Sequence, residues 1–101
     1  MAGLFSFASA LAAYTEEELK IAAWHNATAI GNGYDMRIDC DGRYIRWTEY
    51  GLRTNYGWQV DHIVPRAQGG PDTPSNVRAR HHLGNARAGG ILGNAMANMR
   101  R

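Results

Sequence analysis

Residues 58–90, WQVDHIVPRAQGGPDTPSNVRARHHLGNARAGG, leave the chain few ways to fold. A β-branched run from Val60 to Val64 reads as a strand, and Pro65 stops it because proline has no N–H for a ladder. A loop rich in Gly, Pro and Asp follows from Ala67 to Ser75. Then come Asn76 and Val77-Arg78-Ala79, a segment that reads as a returning strand, and His81, His82, Asn85 and Arg87 at spacings that suit a helix face. Strand, loop, strand and helix make a small frame that gathers polar groups in one place.

The ordered set Asp61-His62-Ile63-Val64-Pro65, Gly69-Gly70, Asn76 and, nine positions later, Asn85 resembles the HNH endonucleases, the ββα-metal nucleases. The Tyr56-Gly57-Trp58 lead-in resembles small bacterial and phage members and extends the likeness back to about Tyr34. The resemblance implies an α+β fold, with a ββα-metal (His-Me finger) motif preceded by an N-terminal helix and an accessory hairpin. Asn85 stands where many members have histidine, which gives the HNN form of the motif. The resemblance also implies that Asn76 ties the loop to the site through its amide.

The chemistry of such a site fits the residue types. Hydrolysing a DNA phosphodiester requires an activated water and neutralised charge on phosphorus and leaving oxygen, up to roughly 15–20 kcal/mol in all. A hard divalent cation, Mg²⁺ or else Mn²⁺, takes oxygen ligands, and Asp61 and Asn85 offer a carboxylate and an amide oxygen. His62 is the candidate general base, because an imidazole titrates near neutrality. Consecutive strand residues point to opposite sides, so Asp61 and His62 would address a phosphate from two directions. His81 and His82 precede Asn85 by four and three residues, and on a helix at least one would share its face.

The 101 residues suit one small domain. Its expected parts are an N-terminal helical arm over 1–33, a hairpin and aromatic-rich support over 34–57, the ββα core over 58–90 and a tail over 91–101. Residues 1–13 are apolar but lack the basic start and the later cleavage site of a signal peptide. They are also too short to span a bilayer. The expected setting is therefore the cytoplasm of a bacterial or phage-infected cell, without secretion or a membrane partner. Thr15 and Glu18 form a capping-box pattern, and Leu19, Ala22, Ala23, Ala27 and Ile30 recur at helical spacing until Gly31-Asn32-Gly33.

Met36 to Arg46 reads as a hairpin around Asp41-Gly42, with Asp39 and Asp41 as turn residues rather than metal ligands. Trp47, Tyr50, Tyr56 and Trp58 are expected to pack around the motif. Cys40 is the only cysteine, so the paired Cys-x-x-Cys zinc brace of many HNH proteins is missing and no structural zinc is expected.

Net charge is only +2, but from Gly42 onward nine arginines face three acids, an excess of six. Arginine's planar fork suits phosphate. Arg66 and Arg87 are the first choices for phosphate contacts, Arg78 and Arg80 the next, with His81 and His82 beside them. No base-reading module is evident, so double-stranded DNA bound with low intrinsic specificity is the expected partner, a second protein supplying any targeting. A non-catalytic module that binds nucleic acid or protein on the same frame is the alternative from another class. It has no need to keep an oxygen-ligand pair and a base together.

Overall fold

In the computed structural model, which describes residues 13–86, the chain opens with helix α1, Glu16–His25. Thr15 accepts a hydrogen bond from Glu18 N, and the Glu18 carboxylate accepts one from Thr15 N, which closes the expected capping box. The apolar stripe is shorter than its spacing suggests. The helix stops at His25 and does not continue to Ile30, because Asn26 is drawn away by long-range partners: its amide donates to Pro74 O and Val77 O. Arg37 caps the exit by donating to the carbonyls of His25 and Ala27. The residues beyond become a short strand, β1, Thr28–Ala29.

Strands β2, Met36–Ile38, and β3, Tyr44–Arg46, form the predicted hairpin, with β1 added on its outer side. Gly42, at φ 82, supplies the left-handed residue of its turn. Asp39 Oδ1 accepts the N–H groups of Asp41 and Arg43, so this carboxylate does the turn work expected of it.

The second sheet is a separate antiparallel pair, β4, Trp58–His62, and β5, Val77–His81. Trp58 lies opposite His81, Gln59 opposite Arg80, Val60 opposite Ala79, Asp61 opposite Arg78 and His62 opposite Val77. His81 therefore ends a strand and does not lie on a helix face. Helical backbone begins at His82 and runs through residue 86, the last one described, and is labelled α2 here. The expectations for residues 1–12, Arg87 and the 91–101 tail lie outside the described residues.

One core joins these pieces. Leu19, Ala23 and Trp24 of α1 meet Ile45 of β3, Trp58 of β4, and Val77 and Ala79 of β5, all buried. Trp24, Trp47 and Trp58 meet with ring centroids 5.1–5.9 Å apart, and Tyr50 packs edge-on to Trp58 at 4.8 Å. Trp58 is wholly buried, and its indole N–H donates to Arg46 O at 2.8 Å, which satisfies its polar end. The aromatic-rich segment thus serves as core between the hairpin and β4. No helix among the described residues is long and apolar enough to cross a membrane.

Candidate active site

The β4–β5 register sorts the motif onto two faces. Cross-strand partners share a face, so Trp58, Val60 and His62 lie with His81, Ala79 and Val77 on the side covered by α1, whereas Gln59 and Asp61 lie with Arg80 and Arg78 on the other. Asp61 and His62 diverge, as their adjacency in a strand requires.

His62 sits at the rim of the core face. Its side chain keeps 15% of its accessibility and lines a cleft of about 380 Å³ with Glu16, Tyr50, Arg66 and Asp72. Its Nε2 lies 2.7 Å from Asp72 Oδ1, and Arg66 Nε donates to that same oxygen at 2.9 Å. The Arg66 guanidinium, with His62 second, holds the Asp72 carboxyl below the usual carboxylate range.

Asn76 is buried and fastens the loop from both sides. Its Oδ1 accepts Val64 N at 2.9 Å, while its Nδ2 donates to Val64 O at 3.1 Å and to Pro71 O at 2.9 Å. Gly70 is needed in this closure, since a Cβ there would run into Val64 O. The loop that carries Asp72 is therefore tied to the strand that carries His62.

On the opposite face Asp61 Oδ2 accepts Arg78 Nε at 2.8 Å, with Arg80 Nη1 3.7 Å away. Arg80 in turn holds Asp41 at 2.8 Å, which links the turn of the first sheet to this ladder. Asn85, in α2, donates from Nδ2 to Gln59 Oε1 at 2.6 Å. That bond brings Asn85 to the face that bears Asp61 and engages its amide nitrogen, which leaves the oxygen without a partner among the described residues. A carboxylate and an amide oxygen on one face are a donor set suited to a hard divalent cation, although such an ion would share Asp61 with Arg78.

The structure engages both His81 and His82 with the loop that precedes β4. His81 is 3% exposed, and both ring nitrogens have partners: Nε2 is 2.7 Å from Asn55 O, and Nδ1 accepts Leu83 N. That burial corrects the expectation that it faces nucleic acid. His82 Nε2 lies 2.7 Å from Thr54 O, and the two imidazoles stack at 4.5 Å. Arg66, Arg78 and Arg80, chosen for phosphate, each pair with a carboxylate.

Residues 47–83 match the family model for HNH endonuclease. The matched segment is 37 of the 101 residues, and over it the chain is similar to the HNH endonucleases. The HNH match covers Asp61, His62 and Asn76 and ends two residues before Asn85. No curated protein and no solved structure matches the chain.

Two residues of the matched segment that sequence reasoning passed over stand beside the candidate groups. Gln59 shares a strand face with Asp61 by simple alternation, a signal the sequence does carry. Asp72 reaches His62 only through the fold of the loop. Elsewhere, Asp39, Cys40 and Asp41 present possible ligand atoms within 4.8 Å of one another. Their carboxylates are already engaged: Asp39 Oδ2 accepts His81 N at 2.8 Å in addition to the turn bonds, and Asp41 holds Arg80 and Arg43.

Proposed function

We propose that the chain is a divalent-metal-dependent endonuclease that hydrolyses DNA phosphodiesters on a ββα-metal frame made by β4, β5 and α2. The observation that carries this reading is the division of the β4 end, with Asp61 beside the Gln59–Asn85 pair on one face and His62 beside Asp72 on the other. Tyr50 bridges the outer edge of β4 only at Trp58, and Asp61 and His62 lie beyond that bridge. A DNA backbone crossing this edge would meet an oxygen ligand pair from one side and an imidazole from the other.

Each residue then has a task. With Nε2–H donating to Asp72, His62 exposes Nδ1 as the base that takes a proton from water, and the Asp72 carboxylate steadies the imidazolium that results, as the acid of a hydrolase triad does. Asn76 holds the loop so that Asp72 stays in reach. Asp61 and Asn85 would hold the cation, whose chemistry is to stabilise charge on the phosphoryl and leaving oxygens. Gln59 would keep the Asn85 oxygen turned toward it. Mg²⁺ suits the donor set and Mn²⁺ can replace it. The substrate we propose is duplex DNA bound with little sequence preference.

Supercoiled plasmid tests this directly. The protein should nick it with Mg²⁺ or Mn²⁺ and stop on addition of EDTA, and His62→Ala should lower the rate by about 10²–10⁴ while still binding DNA. Nicking at the parental rate by His62→Ala, or nicking that survives chelation, would refute the reading.

A further inference from the structure

The histidine pair ahead of Asn85 acts on a loop. His81 Nε2 bonds to Asn55 O, His82 Nε2 to Thr54 O, and His82 N donates to Gly57 O at 3.0 Å. The segment 52–57 is thus stapled to the junction of β5 and α2. Its tight return needs Gly57, where a Cβ would run into Leu52 O. Such a staple holds the loop that carries Arg53.

Arg53 differs from the other arginines of the described residues. Arg43, Arg46, Arg66, Arg78 and Arg80 pair with carboxylates, and Arg37 is spent on the carbonyls of Gly33, His25 and Ala27. Among the described residues Arg53 has no carboxylate partner; it is exposed, and all nine Asp and Glu side chains of the sequence fall within those residues. It lines a cleft of about 420 Å³ together with Gln59, His82 and Asn85. An uncompensated guanidinium, on a stapled loop, beside the amide pair of the ligand face, is a placement that suits an anion.

We infer that Arg53 binds a phosphate of the nucleic-acid backbone on the Asn85 side of the site, and that His82 is the positioning residue that holds its loop in place. The inference rests on the nuclease reading only in taking DNA as the ligand. A phosphate here lies on the ligand face of β4, away from the His62 cleft, so Arg53 fixes which way the strand runs across the β4 edge.

The test is binding of a fluorescein-labelled DNA duplex by the full chain in EDTA across a salt series, so that cleavage is not needed. Arg53→Ala should weaken binding roughly tenfold and flatten the slope of log K against log salt by about 0.9, one contact's worth. Arg53→Lys should restore the slope. His82→Ala should weaken binding in the parental chain but add nothing in the Arg53→Ala background, as expected if it acts only through the loop. Parental affinity and slope in Arg53→Ala would overturn the phosphate contact, and an undiminished His82→Ala effect in that background would overturn the positioning role. A chain that binds duplex with the predicted Arg53 dependence but never cuts would refute the activity proposed above and leave this inference standing, whereas a chain that binds no duplex would refute both.

Discussion

The ten residues of the β4–β5 pair divide their side chains between two faces, six and four, that are held by different physics. On the α1 side, Trp58, Val77 and Ala79 are buried against Leu19, Ala23 and Trp24, and the one polar group at the rim, His62, leans on an acid from the loop. Among the described residues the other side has no apolar layer. Asp41, Arg80, Asp61 and Arg78 form a ladder of charges, and Gln59 reaches Asn85. Burial at about 25 cal/mol per Å² makes the first face the source of stability. Partly exposed ion pairs contribute at most about 1 kcal/mol each, which leaves the second face free to be arranged for ligands. A strand buried on one side and charged on the other can present an acid and a base from adjacent positions without either disturbing the core.

That contrast breaks most severely at Trp58. Trp58→Ala should cost about 3–5 kcal/mol, visible as a large fall in the urea midpoint, whereas Asp61→Ala should cost far less on the same curve. Comparable losses would mean that the ladder, too, holds the fold. Asn76→Ala comes next. It removes all three bonds to Val64 and Pro71 and leaves buried partners unmet, so roughly 2–3 kcal/mol is expected, with faster amide exchange at Val64 as the local readout.

A smaller effect tests the rim of the core face. Asp72→Ala should lower the nicking rate about tenfold through kcat with little change in KM, and Asp72→Asn, which still accepts from His62 Nε2–H, should recover much of it. A loss confined to KM would make Asp72 a substrate contact instead. The smallest effect is on the ladder. Arg80, by its hydrogen bond, holds the Asp41 carboxyl below its ordinary value, so the stability it gives is present above the ordinary carboxylate range and is lost as pH falls through the lowered folded value. Asp41→Asn should therefore flatten the acid limb of a stability-against-pH curve slightly. An unchanged limb would assign the acid sensitivity to other carboxylates.

Much of this was legible in the residues themselves, wherever the signal was local. Thr15 and Glu18 announce their capping box, Asp41-Gly42 its turn, and Val60 to Pro65 a strand with a definite end. The ordered spacing of Asp61, His62 and Asn76 pointed to the family that residues 47–83 match. What escaped depends on contacts distant in sequence. The helix seemed free to run to Ile30 because nothing nearby reveals that Asn26 is bonded to Pro74 and Val77, some fifty residues on. His81 and His82 looked like neighbours of Asn85 on a helix face because their spacing to it is helical, but the pairing of Trp58 with His81 turns the first into the end of a strand. The arginines read as a phosphate-binding surface, and only the fold shows that Arg78 and Arg80 meet acids.

The account stands on the separation of two roles across one strand, with ion binding on the Asp61 side and proton transfer on the His62 side. Titration of the purified chain with Mn²⁺, followed by electron paramagnetic resonance, measures that separation without any need for turnover. The parental chain and His62→Ala should bind the ion alike, and Asp61→Ala should not bind it. Retained binding in Asp61→Ala, or its loss in His62→Ala, would contradict the division of labour between the two faces.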